Sequence, residues 1–254
     1  MALFRRRPPV DPFPEDWEDV VAARVAGWWD RSLEHRTRRR DLMEPLLVEK
    51  RWEAARGFEL TDEVRLVIAA EAAQLGMGLG PGAFAKVRTI VVHATARIDH
   101  EPQPGPVEGV WDDEPVELLG EADHATGPVT LAWDEVCRNA RHPRRGLHVV
   151  LHEFAHKVDM LDGTVDGTPP LPTRADRERW IEVCTAHYEA IRAGGGCELL
   201  DDYAGEDPGE FFAVATEAFF CLPQDLRAEA PDLYEVLATA YRHDPTSALS
   251  DSPE

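Results

Sequence analysis

At 254 residues, with 43% hydrophobic and 30% charged residues, the chain can bury a sizeable core and has the composition of an ordinary soluble globular protein. Its 48 acidic residues against 27 Lys and Arg leave a formal net charge of −21, which sets it against nucleic-acid phosphates and suits a cationic partner, such as the free ammonium of a peptide. No apolar run approaches the ~20 residues that span a bilayer, and no apolar segment follows the charges of Met1 to Pro9, so neither a membrane partner nor a secretory signal is expected and a cytoplasmic location follows.

Residues 1–14, basic and then proline-rich, read as a flexible tail. Helical spacing begins at Trp17 and continues through Val21, Val25, Trp28, Trp29 and Leu33. Leu42, Leu46, Leu47 and Trp52 predict a second helix, whose start Pro45 obscures. Thr61 caps a third, with Val64, Val67, Ile68, Ala72 and Leu75 on one face. The segment from Gly76 to Gly82 is rich in breakers and reads as a loop; no Lys-Ser/Thr follows it, so it is no phosphate cradle. Thr89 to His93 predicts a buried strand, and 107–111 and 129–133 two further short ones after a Pro/Gly-rich connection over 101–109. Helices are then expected over 134–140, 145–158, 174–192, 208–221 and 231–242, with a Gly/Pro loop after 163 and a second flexible tail at 246–254. Cys137, Cys184, Cys197 and Cys221 are widely spaced, with no C-x-x-C, and read as buried fillers. The expected fold class is α+β and mostly helical, with a small β-sheet. An N-terminal helical part over 15–80 and a second part over 81–245 are expected to form one compact unit.

The chemistry centres on His152-Glu153-Phe154-Ala155-His156. Residues four apart share a helix face, so both imidazoles can converge on one ion while Glu153 polarises a water at the open position. Leu147, Val149, Val150, Leu151, Phe154, Ala155 and Val158 make the segment apolar nearly all round. Burying two His and a Glu there costs several kcal/mol unless they are paired or metal-bound. Catalytic zinc usually takes three protein ligands. Asp162, six residues after His156, is one candidate for the third, although Asp159 stands where a turn glycine would be needed. Glu210 is the stronger candidate. It lies seven residues before Glu217 in an otherwise apolar helix, so both project from one face, Glu210 as ligand and Glu217 behind a metal-bound His. Tyr203 could place a phenol beside the ion.

Several segments together resemble the bacterial Mlc titration factor A family: His152 to Asp159, Asp162-Gly163, Asp166 to Leu171, Tyr203-Ala204, Glu210 to Val214, Glu217 and Phe219-Phe220. Arg51-Trp52, Leu60-Thr61-Asp62, Leu119 to Ala122 and Val129 to Trp133 extend the likeness over residues 12–245. The resemblance implies a zincin-like metallopeptidase core holding one Zn2+ per chain, with an active site similar to that of the anthrax lethal factor catalytic domain. It implies His152, His156 and Glu210 as ligands, Tyr203 beside the zinc, aminopeptidase activity and binding to the repressor Mlc. Lys157 departs from the uncharged flanks of zinc proteases, and His148 stands in place of an Asn; it reads either as a partner behind the ligands or as a helix-surface residue.

The expected activity is therefore hydrolysis of peptides, with Glu153 as general base and Tyr203 on the developing oxyanion. Glu121, Asp159 and Asp162 are the carboxylates available to a substrate amine. The alternative is a regulatory protein that sequesters an Mlc-like transcriptional repressor, with peptidase activity secondary.

Overall fold

The computed structural model describes residues 11–55, 57–95, 103–104, 111–112 and 127–246. The expected strand over 107–111 and the Leu119 to Ala122 element, with Glu121, fall mostly or wholly outside them. The chain is α+β and mostly helical, as the periodicity indicates.

Helix α1 (Trp17–Ala22) is shorter than its apolar spacing suggests. Gly27 adopts a left-handed φ of 68°, and the Ala26 amide donates to the Ala140 carbonyl, so the chain turns there instead of continuing helically. Val25 and Trp28 are nonetheless buried, so the spacing marks the core correctly and the local conformation wrongly. Ahead of α1, Phe13 is buried edge-on to Trp17, and Asp11 pairs with Arg40. Helix α2 (Leu33–Glu49) begins at Ser32, whose Oγ accepts from the His35 amide, and runs through Pro45.

Trp52, expected in that helix, lies in strand β1 (Arg51–Ala54). The strand is held by parallel pairing to β2 (Thr89–His93), which helical periodicity cannot register. Helix α3 (Asp62–Ala72) starts at the Thr61 cap. The glycine-rich stretch expected as a loop instead forms a short helix, α4 (Gly76–Leu79), followed by a 3-10 turn, Pro81–Phe84. A Cβ at Gly78 would collide with the Tyr241 and Arg242 carbonyls, so glycine there permits close backbone approach, not a break.

Strands β3 (Gln103–Pro104) and β4 (Trp111–Asp112) pair antiparallel. Strand β5 (Val129–Ala132) completes the parallel sheet, in the order β1-β2-β5. Ile90 pairs with Val129 and Val92 with Leu131, all buried, so one face of the sheet is core. Helices α5 (Trp133–Arg141), α6 (Val149–Asp159), α7 (Arg174–Arg192), α8 (Pro208–Cys221), α9 (Pro223–Glu229) and α10 (Pro231–Tyr241) follow. Of these, α9 has no counterpart among the predicted elements. Helix α6 packs on β5, α3 and α8. A continuous set of buried apolar side chains runs from Phe13 through Phe154 and Phe212 to Tyr241. No helix among the described residues is long and apolar enough to cross a membrane.

Candidate metal centre

The motif residues ride on α6, and three amides at its start have partners outside the helix ladder. The His148 backbone N–H donates to Glu217 Oε2, the Val149 N–H to Asn139 Oδ1 at 3.0 Å, and the Leu151 N–H to His148 Nδ1 at 3.5 Å. Helix α8 brings Glu210 and Glu217 to the same place. Asp207 caps it, accepting from the Gly209 and Glu210 amides at 2.7 and 3.0 Å, and Pro208 occupies its first turn. Gly167, at φ 72°, lies so close to the Pro208 carbonyl that any Cβ would collide, which docks the 163–172 loop on the start of α8.

Three donors converge. His152 Nε2 lies 3.1 Å from Glu210 Oε2 and 3.3 Å from His156 Nε2, and His156 Nε2 lies 3.5 Å from Glu210 Oε1. A tetrahedral ion with ligands at about 2.0–2.1 Å has ligand-to-ligand edges of about 3.3–3.4 Å, which the separation of the two imidazole nitrogens matches, while Glu210 offers one oxygen to each ring. Among the described residues, these three form the group of metal-type donors gathered within 4.8 Å. Two imidazoles and a carboxylate suit a zinc-like divalent cation.

Glu217 joins the cluster from behind. Its Oε1 lies 2.7 Å from His152 Nδ1, which fixes the ring so that Nε2 faces the centre, while Oε2 holds the start of α6. Burial works against charge on His152, but Glu210, Glu217 and Glu153 outweigh it and hold its pKa up to about 10. The pocket therefore favours positive charge at this point. Glu153 is half-buried and near enough to act electrostatically on both His152 and Tyr203.

Tyr203 sits in the 3-10 turn Asp202–Gly205, capped by Asp201, with its ring 6.1 Å from that of His152. Burial first, then the Glu210 and Asp207 charges, push its phenol up to about 12, so it stays a proton donor at neutral pH.

Asp162 stands apart. It is exposed, and its Oδ1 accepts from the Thr164 amide and hydroxyl at 2.9 and 2.7 Å. Asp159 is fully buried and accepts from the Gly167 amide at 3.0 Å, so it supports the loop and does not meet solvent. Lys157 turns inward and donates to the Gly127 carbonyl at 3.0 Å, which ties α6 to the entry of β5.

Sequence reasoning missed how deeply His148 is engaged. It is 2% exposed, and while Nδ1 caps α6, Nε2 meets Glu71 Oε2 at 3.2 Å. Gln74 Nε2 donates to the same Glu71 oxygen at 2.6 Å, and Arg39 lies 3.9 Å from it. A histidine just ahead of an apolar helix is the one signal that marks such a cap.

A family model described as glucose-regulated metallo-peptidase M90 matches residues 2–242. An uncharacterized protein of Synechocystis sp. is 32% identical over 246 residues, 96% of this chain and 87% of its own. The Mlc titration factor A of Serratia proteamaculans is 28% identical over 248 residues, covering 92% and 88% of the two chains. That of Edwardsiella ictaluri is 34% identical over 164 residues, covering 59% and 61%.

Proposed function

The chain belongs to the glucose-regulated metallo-peptidase M90 family, and from that premise we propose that it is a zinc-dependent peptidase of the gluzincin type, acting as an aminopeptidase in the cytoplasm. The observation that carries this reading is the convergence of His152, His156 and Glu210, each of which brings a ligand atom within 4.8 Å of the others'. These three residues would hold one Zn2+ per chain, with Glu217 orienting His152. When bound, zinc polarises a carbonyl and lowers the pKa of its water toward ~7.

The chain's own groups do the rest. Glu153 accepts the proton of the attacking water and returns it to the leaving amine. The Tyr203 phenol, kept protonated, donates a hydrogen bond to the oxygen that gains charge. The acidic surface, at −21 overall, favours a substrate with a free ammonium. Residues 15–80 and 81–245 act as one unit, a reading supported by the shared core that runs from Phe13 to Tyr241.

A second reading rests on the relatives' name. Because the matched Serratia protein is called Mlc titration factor A, this chain would bind an Mlc-like repressor, with or without peptide hydrolysis. One experiment separates the two. Metal-replete protein is assayed against aminoacyl and N-blocked peptide substrates, and turnover confined to free amino termini is expected. Absence of turnover on the whole panel, with metal present, would favour the binding role.

A further inference from the structure

Behind the metal centre, on the far side of His148, lies a cavity of about 200 Å³. Its walls come from the start of α2, from α3, from the Pro143–Arg145 turn and from the ends of α8 and α10. A wider groove of about 560 Å³ adjoins it and shares Arg31, Pro143 and Arg144 with it. Five arginines line the two spaces, namely Arg31, Arg39, Arg141, Arg144 and Arg145, against three acids, Asp30, Glu71 and Asp225. That is a local excess of two positive charges, before any histidine is counted, on a chain whose net charge is −21. An acid-rich chain with a basic hollow has a concentrated field there, which draws anions.

The cavity also holds polar atoms whose needs are unmet. Arg39 is 3% exposed, and its Nη2 donates to the Ala70 carbonyl, but among the described residues its buried Nε has no hydrogen-bond partner. The buried Nδ1 of His35 has none either. Unsatisfied buried polar atoms of this kind are uncommon and mark a place where a ligand or an ordered molecule completes the bonding. The one deeply buried acid of the lining, Glu71, is shared among His148, Gln74 and Arg39, and with Asp30 it balances only part of the lining's positive charge.

We propose that this cavity and groove bind a small dianion, a phosphate monoester or a dicarboxylate, held by Arg31 and Arg144 with its inner oxygen toward Arg39 and His35. Planar guanidinium groups present paired N–H donors that match either oxyanion. The volume accommodates such a headgroup with a few further atoms, since a water's share of liquid is about 30 Å³. Mutual repulsion among the bases agrees with this. Burial, then Arg39, Arg31 and His243, push the His35 imidazole down to about 3, and burial likewise lowers Arg31.

The site is independent of the peptidase reading, and the test keeps the two apart. The full-length protein is titrated calorimetrically with inorganic phosphate and, separately, with succinate, each in buffer of matched ionic strength. Saturable binding of one dianion per chain is expected, with a dissociation constant below about 1 mM, and the tighter probe identifies the headgroup. Arg144→Ala, at an exposed position, and Arg31→Ala are each expected to weaken it at least about tenfold, as loss of one charge-assisted pair does. His152→Ala, which removes a donor of the metal centre, is expected to leave it within about twofold. Saturation by neither probe overturns the proposal. So does binding that survives both arginine substitutions, or binding that disappears with His152→Ala, because the anion would then sit elsewhere.

Discussion

On the α8 side of the motif helix, Glu210, Glu217 and Glu153 crowd two imidazoles, whereas on the α2 and α3 side arginines outnumber the acids that face them. The first arrangement raises the pKa of a histidine, His152, to about 10; the second lowers that of another, His35, to about 3. Burial lowers both imidazoles; the acids around His152 overturn that effect, whereas the bases around His35 add to it. His148 and Glu217 form the boundary. His148 touches Glu71 on one side and passes its backbone N–H to Glu217 on the other, and Glu217 in turn orients His152. A cation suits one side and an anion the other.

The largest expected effect belongs to the cation side. Glu153→Gln should retain the metal, since Glu153 is not among the gathered donors, yet lower turnover by about 10²–10⁴-fold. Metal analysis alongside steady-state rates checks this, and near-normal turnover would remove Glu153 from the reaction. Glu217→Ala should cost about 10–100-fold in metal affinity or activity, because it frees the His152 ring without removing a ligand. A competitive chelator titration reads the change, and an affinity equal to that of the parent would show that the 2.7 Å contact does not orient the ring.

His148→Ala tests the boundary. It removes the bond from the Leu151 amide and leaves buried Glu71 with fewer partners, so it should destabilise the fold by about 1–3 kcal/mol. Because the Glu217 bond comes from the His148 backbone, turnover at a permissive temperature should fall far less than in Glu217→Ala. Equal losses in the two variants would mean that the charge boundary is not where the contacts put it.

The smallest effect concerns pH. Burial is the main cause of a pKa of about 6 for Asp159, up from 3.8, with Asp166 and Asp162 adding to it. A raised carboxyl pKa favours the protonated fold, so its stabilising contribution is complete below about pH 4 and is lost as pH rises through about 6. Asp159→Asn should flatten that fall, seen as the difference between the two proteins' urea-unfolding free energies across this window. A difference that does not vary with pH would show that Asp159 titrates normally.

What could be read from the chain, and what could not, follows from the distance over which each contact forms. The spacing of His152 and His156, and of Glu210 and Glu217, is local, and helical geometry turns it directly into shared faces. Helices α7 and α8 begin and end where their patterns do, because Thr173 and the Asp207-Pro208 pair mark their starts. Strand β1 escaped notice because its reason to be extended lies 38 positions on, in the pairing of Arg51 with Thr89. Gly76 to Gly80 read as breakers because nothing nearby in sequence shows the Tyr241 and Arg242 carbonyls packed against Gly78. The cluster of Arg39, Glu71 and His148 was equally hidden, since each member comes from a different element and they meet one another only across long stretches of chain.

Metal stoichiometry of Glu210→Ala, set beside that of Asp162→Ala and the parent, tests the assignment of the centre most directly. Glu210 faces both imidazoles from inside the core, while Asp162 is exposed and bonded to Thr164. The account predicts close to one zinc in the parent and in Asp162→Ala, and loss of zinc with abolished turnover in Glu210→Ala. Zinc retained by Glu210→Ala and lost from Asp162→Ala would contradict it.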